Sequence, residues 1–253
     1  MLVILPPSEG KAVPAGGAPV DLAALTHPEL TPHRERLLTA VEKLGRGSRK
    51  TGLARLGIGP GLAAELERNA TLRSAPAAPA AEIYVGVLFQ RLELASLPDD
   101  AQARARDRLI IASALWGVVR LEDRIPAYRL SMGAKLPRVG GLAAWWRPAL
   151  TAALPPDGLV VDLRSQSYAA AWRPEEGTVV EVRALVEAAG KRTVISHMAK
   201  ATRGDVARLL VAAPHTPTDP EGVASLAEAG GLRVELAHAK GAWQLDVVLA
   251  ATP

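Results

Sequence analysis

Leu2-Val3-Ile4-Leu5-Pro6-Pro7-Ser8-Glu9-Gly10-Lys11 decides the reading of the fold. Four apolar residues meet two prolines, which a central strand does not accommodate, so a short buried strand ends in a polar loop. The same order recurs three times. Leu109–Ala112 precedes Ser113, Trp116, Gly117 and Arg120; Leu159–Leu163 precedes Arg164, Ser165 and Tyr168; Thr193–Ser196 precedes His197, Lys200, Arg203 and Gly204. Leu232–Leu236 and Trp243–Leu249 flank the turn His238-Ala239-Lys240-Gly241 and read as a terminal hairpin.

Helical patterns fill the intervals. Leu37, Leu38, Val41 and Leu44 line one face of a helix over Arg34–Leu44. Pro60–Arg68, Leu142–Ala153, Lys200–Val211 and Pro220–Ala229 are further helices, several opening on proline near the first turn. Pro-rich Ser74–Pro79 and Pro214–Pro220 read as loops. Strands alternating with helices predict a mixed α/β fold: a partly parallel sheet flanked by helices, with an antiparallel C-terminal element. No long repeat or dividing linker interrupts residues 1–253, so one domain is expected, with a helical insertion at about residues 34–73.

The composition narrows the chemistry. Cysteine is absent, which excludes disulfides, thiolate catalysis and cysteine-held metal clusters. His27, His33, His197, His215 and His238 lack metal-ligand spacing, and no metal or cofactor is expected. The Met1–Leu5 run has no preceding basic region, and no later apolar run approaches the ~20 residues that span a bilayer, so a cytoplasmic protein without membrane contact is expected.

The net charge of +4 is unevenly spread. Arg34 to Arg73 holds nine basic residues against four acidic ones, and the group Arg46, Arg49, Lys50 and Arg55 contains no acid. Such clusters suit phosphate-rich partners, although solvated basic faces are common. Beside it stands Leu56-Gly57-Ile58-Gly59-Pro60-Gly61-Leu62, which looks like the turn of a helix-hairpin-helix element. Gly57, Gly59 and Gly61 permit a tight turn and leave backbone N–H groups free for a nucleic-acid phosphate. A plain glycine-rich turn between helices is the competing reading, and both stand open.

The post-strand loops form the second candidate site. If the strands run parallel, Ser8, Lys11, Ser113, Arg120, Ser165, Lys200 and Arg203 meet at one rim, where open α/β sheets bind ligands. Hydroxyls among cations are the chemistry of phosphate or carboxylate recognition. The densest stretch, Ser113–Leu136, adds Trp116, Tyr128 and Arg129; alternatively Trp116 and Tyr128 pack the core and Asp123 pairs with an arginine. Lys11 or Lys200, desolvated among cations, would titrate low enough to act as a base or nucleophile.

These residues resemble the YaaA family. Pro6–Lys11 resembles its N-terminal Ser-Pro-Ala-Lys loop, Glu82–Leu88 its Asp-Val-Tyr-x-Gly-Leu segment, and Ser113–Leu136 its block ending Pro-Tyr-Arg-Leu-x-Met-Gly. Trp145-Trp146, Leu159–Tyr168 and His197–Gly204 come next in the family's order. The resemblance implies a mixed α/β fold with a positively charged cleft, a helix-hairpin-helix element, DNA binding, and a role in limiting damage by unincorporated iron under peroxide stress. By correspondence the cleft would hold Ser8, Lys11, Trp116, Gly117, Arg120, Tyr128, Arg129, Gly133, Ser165, Tyr168, Lys200 and Arg203. The sequence departs from the pattern at Ala12 (Thr in the family), Asp162 (Asn) and Arg164 (Ala). The expected partner is therefore DNA, held through backbone phosphates without base readout; the alternative is an enzyme acting on a nucleotide or other phosphorylated small molecule in the Ser/Lys/Arg-lined cleft.

Overall fold

The structure, a computed structural model, describes residues 1–155, 157–188, 191–194, 198–239 and 241–250. Ser196, His197 and Lys240 lie outside the described residues.

Leu2–Leu5 forms β1, whose Val3, Ile4 and Leu5 are fully buried. The chain then enters three helices: α1 (Thr31–Gly45), α2 (Arg49–Leu56) and α3 (Ala63–Arg68). The α1 stripe of Leu37, Leu38, Val41 and Leu44 faces the core, as its spacing predicts. A short strand β2 (Ala77–Pro79) leads to α4 (Ala80–Ile83), α5 (Val87–Leu92) and α6 (Asp99–Arg108). Next come β3 (Leu109–Ser113), β4 (Gly117–Val119), β5 (Arg124–Pro126) and a small hairpin of β6 (Lys135–Leu136) and β7 (Gly140–Gly141). After these lie helix α7 (Leu142–Ala153), strand β8 (Leu159–Asp162) and one-turn α8 (Gln166–Ala169). The chain ends in β9 (Thr178–Ala188), β10 (Lys191–Val194), α9 (Met198–Ala212), α10 (Pro220–Ala229) and the hairpin β11 (Val234–Ala239) and β12 (Ala242–Ala250).

Eight of these strands form one mixed sheet, ordered β11-β12-β9-β8-β1-β3-β4, with β10 added to β9. The pairs β3/β1, β1/β8, β8/β9 and β9/β12 are parallel, so five strands share a carboxyl edge. The α/β expectation holds, including the antiparallel C-terminal hairpin.

Two expectations are corrected. The fourth strand does not join the parallel set: β10 runs antiparallel along β9, so the segment after it cannot be aligned with the other three loops by strand direction. The fourth place in the parallel set belongs to β9, an eleven-residue strand whose Glu181 and Arg183 alternate with buried Val180, Val182 and Ala184. Because Val194 pairs with Leu185 while Asp162 pairs with Glu181, β10 runs back along β9 toward the level at which β8 ends. Second, Arg120 leaves the rim. Ser113 pairs with Gly117 across a three-residue loop, and β4 carries the chain back to the opposite edge. There the Arg120 guanidinium donates to the carbonyls of Arg106 (3.0 Å) and Asp107 (2.8 Å) at the end of α6, a helix C-terminal cap.

Candidate functional site

Strand β1 connects onward to β3 on one side, while β8, its neighbour on the other side, connects to β9 in the opposite direction. The gap between β1 and β8 is therefore the topological switch point of the sheet, where two post-strand loops diverge and open α/β sheets place their ligand crevice. Those loops are Pro6–Lys11 and Leu163–Tyr168.

Lys11 is drawn into this crevice. The Lys11 segment bridges to Tyr84, and Ala12 N donates to Ile83 O at 2.9 Å. The Lys11 Nζ donates to the Ser8 carbonyl at 2.9 Å and lies 4.1 Å from the Tyr128 ring centre and 5.4 Å from that of Tyr84. Such cation–π contacts are weaker substitutes for water or a carboxylate. Among the described residues Lys11 has no ion-pair partner. Burial accordingly lowers its pKa from 10.5 to about 7; Arg129 pushes the same way, and Glu9 and Glu65 oppose.

A buried hydroxyl chain ties the two rings to the end of β3. Ser113 and Tyr128 share a 2.7 Å hydrogen bond, and Tyr128 and Tyr84 one of 2.9 Å. The Ser113 Oγ also accepts from Leu115 N (3.2 Å) and Trp116 N (2.9 Å) of the β3–β4 loop, which fixes the hydroxyl at the end of β3. Burial raises the Tyr84 pKa to about 12 and pushes Tyr128 and Tyr168 well up, so all three remain neutral donors. Trp116 stands edge-on to Tyr128, its buried Nε1 without a partner among the described residues. Gly117, at φ 77°, is required because a Cβ there would meet the Trp146 ring at 2.8 Å.

Arg129 crosses the mouth, but not as a free anion receptor. Its guanidinium pairs with Glu9 (2.6 Å) and Glu65 (3.2 Å) and donates to the Glu9 carbonyl (3.2 Å). Asn69 holds its backbone in both directions, accepting at 2.9 Å and donating at 2.7 Å. Ser8 turns its hydroxyl onto Gly10 O (2.6 Å) and accepts from Val85 N (3.1 Å), a structural use. Ser165 bonds to Ser167 (3.1 Å) at the start of α8. Lys200 is exposed rather than desolvated. Arg203 is half-buried, its Nε without a partner among the described residues; burial lowers its pKa against the pull of Asp162. Gly133 is exposed and open.

The fold thus brings Lys11, Ser113, Tyr128, Arg129 and Tyr168 near one another, while Trp116 and the body of Tyr128 pack the core, as the alternative reading has it; sequence reasoning missed four neighbours: Glu9, Glu65, Asn69 and Tyr84. Glu9 and Tyr84 lie inside quoted motifs; Glu65 and Asn69 arrive from α3 and the turn after it, which no local pattern ties to the sheet. Asp123 pairs with no arginine side chain among the described residues; it accepts from the backbone of Arg120 (2.8 Å) and from Thr26 (2.8 and 3.0 Å). Asp162 and Arg164 form a buried bidentate pair at 2.8 and 2.7 Å, so those two departures are one compensated change. Among the described residues no cluster of three His, Asp or Glu is placed to hold a metal.

The basic segment separates into inner and outer residues. Arg34 is fully buried and donates to the carbonyls of Trp116 (3.1 Å), Val118 (3.2 Å), His27 (3.1 Å) and Thr26 (2.7 Å). Arg46 and Arg73 converge on Glu42, and Arg46 also donates to Ala70 O at 2.9 Å. Arg49, Lys50 and Arg55 are exposed on α2. Gly57 ends that helix at φ 68°; Gly59 and Gly61 are exposed, and a 3-10 turn at Pro60–Leu62 precedes α3. Between α1, the start of α2 and Pro137–Val139 lies a cleft of about 740 Å³ whose charged lining is Arg36, Lys43 and Arg138. A second, of about 600 Å³, shares Arg138 and adds Arg55 and Lys135; among the described residues no carboxylate lines either cleft. No helix among the described residues is long and apolar enough to cross a membrane.

A family model described as peroxide stress protein YaaA matches residues 1–236. A UPF0246 protein of Streptomyces coelicolor is 48% identical over 98% of each chain. One of Corynebacterium efficiens is 41% identical over 93% of this chain and 95% of its own, and one of Salinispora tropica 31% identical over 91% and 88%. With the match running nearly the full length, the chain belongs to the YaaA peroxide stress protein family.

Proposed function

We propose that this protein acts in the peroxide-stress response by binding DNA through its backbone phosphates, limiting iron-dependent oxidative damage to it. The observation that carries this reading is the pair of adjoining clefts whose charged lining is cationic throughout: Arg36, Lys43, Arg55, Lys135 and Arg138. Arg49 and Lys50 are exposed on α2 between Ser48 and Thr51 of the first cleft, and the exposed Gly57–Gly61 turn follows Arg55 of the second. Cations without carboxylates attract a polyanion along its length, whatever its sequence. The turn joins two helices as a helix-hairpin-helix element would, but α3 has only six residues, so its dipole adds little and the cations dominate.

Fluorescence anisotropy with a labelled duplex of arbitrary sequence tests this. Affinity should fall steeply and linearly in log salt, with weak sequence preference. Arg49→Ala with Lys50→Ala should flatten the slope by roughly two phosphate equivalents. Salt-independent affinity, or wild-type affinity and slope in that double variant, would overturn the reading.

A further inference from the structure

We propose that Lys11 is a carbonyl-reactive amine that captures, as a Schiff base, the aldehyde of a base-lost deoxyribose in DNA bound on the adjacent basic face. This rests on the DNA-binding reading above and assigns a chemistry to the crevice that phosphate binding leaves unused.

The crevice is built for a nucleophile rather than for an anion. Its position is the switch point between β1 and β8, where small ligands enter open α/β sheets. Its guanidinium, Arg129, already shares two carboxylates, so Glu9 and Glu65 balance Arg129 and Lys11 and leave no surplus charge for a phosphate. Among the described residues the Lys11 ammonium has one hydrogen-bond acceptor, Ser8 O, and otherwise faces the tyrosine rings. A lysine enclosed by apolar ring faces beside another cation loses its proton readily and becomes nucleophilic. Lys43 and Lys50 on the DNA-facing side are exposed by contrast and suit phosphate contact.

The DNA-binding face and the crevice are joined by one short element. Helix α3 starts just past the Gly57–Gly61 turn, and its Glu65 reaches Arg129 at 3.2 Å; Asn69, directly after it, clamps the Arg129 backbone. At about 1.5 Å per helical residue, Glu65 stands only ~6 Å along the axis from Gly61. Phosphates held at the turn therefore bring neighbouring sugars to the mouth formed by exposed Glu9 and Gly10.

An abasic sugar in its open-chain form carries an aldehyde at C1′. The Lys11 nitrogen lone pair adds to that carbon and the carbonyl π bond breaks to a carbinolamine. The oxygen then leaves as water, taking two protons from nitrogen by way of neighbouring groups, and a C=N bond forms. No oxidant or reductant is consumed. The ring faces of Tyr84 and Tyr128 flank the amine, and the exposed mouth at Glu9 and Gly10 admits the solvent water that passes protons between nitrogen and oxygen.

The test uses the full-length chain and a labelled duplex bearing one abasic site, with sodium cyanoborohydride to reduce the imine to a stable secondary amine. The wild type should give a covalent protein–DNA adduct that peptide mapping places on Lys11, absent with the intact duplex. Adduct yield should rise with pH through about 7, the value to which burial brings Lys11. Lys11→Ala and, as a variant retaining the cation, Lys11→Arg should lose at least roughly tenfold in adduct while binding the intact duplex as the wild type does. An adduct spread over surface lysines, unchanged yield in both variants, or intact-duplex binding with no adduct overturns this proposal alone. Absence of any duplex binding overturns it together with the reading on which it rests.

Discussion

Lys11 illustrates how one half-buried, desolvated amine ties stability to pH. Its folded pKa, about 7, lies below its ordinary 10.5 because burial disfavours the charged form. Below about 7 it is protonated in folded and unfolded chains alike, and the folded state bears the full cost of enclosing the charge. Above 10.5 it is neutral in both, and the cost is gone. Between these limits the unfolded chain binds more protons, so stability rises with pH. Lys11→Met removes the titrating group while keeping the stem's volume. Urea midpoints should show this variant more stable than the wild type at pH 7 and less responsive to pH up to about 10; parallel curves for the two proteins would refute this account. Asp162 and Arg164 supply a second residue-scale test. Arg164→Ala leaves a buried carboxylate unpaired and should cost about 3–5 kcal/mol. Adding Asp162→Asn to restore the family's Asn/Ala pattern should recover most of that loss. A double variant as unstable as the sum of two single ones would show that the pair is not compensated.

At the scale of elements, the turn between α2 and α3 depends on one backbone conformation. Gly57 occupies the left-handed region at φ 68°, and a Cβ there would meet nothing within 4 Å. Substitution therefore probes conformation without packing: Gly57→Val should destabilise by about 1–2 kcal/mol, and Gly57→Asn by much less. Equal thermal midpoints for the two variants would contradict this. The same scale explains how far the sequence discloses the fold. Strands β1, β3 and β8 are legible because each opens with at least three consecutive apolar residues, nearly all of them buried. Strand β9 is not, because Glu181, Arg183 and Glu187 interrupt it; Arg183 is satisfied across the sheet by Asp246 at 2.6 Å, a partner sixty-three residues away. Helix α6 escapes a periodicity reading because its buried stripe is Ala101 and Ala105, with Arg108 folded back onto Leu210 O. Strand direction has no local signature, which is why sequence reasoning puts β10 in the parallel set and Arg120 on the wrong edge. The site is legible as far as loops after parallel strands supply it; Glu65 and Asn69 come from a helix whose docking only the tertiary structure defines.

On the scale of the whole molecule, α3 and the turn after it tie the helical segment to the Lys11 region through Arg129. The carboxyl edge positions Lys11, Ser113 and Tyr168 from three different loops, while α1 to α3 present the cationic clefts on the outside. Glu65 and Asn69 bridge the two through Arg129. If DNA occupies the outer face, its sugars cover the crevice mouth, and access to Lys11 must fall as DNA binds. Competitive acetylation of lysines, read by mass spectrometry, measures this directly. Saturating intact duplex at low salt should slow Lys11 labelling several-fold, along with Lys43 and Lys50, and raised salt should restore all three together because phosphate contacts release counterions. Protection of Lys43 and Lys50 without Lys11 would separate the two regions and place the bound strand away from the switch point. Concerted protection instead requires one ligand path running from the basic clefts, over α3, to the carboxyl edge of β1.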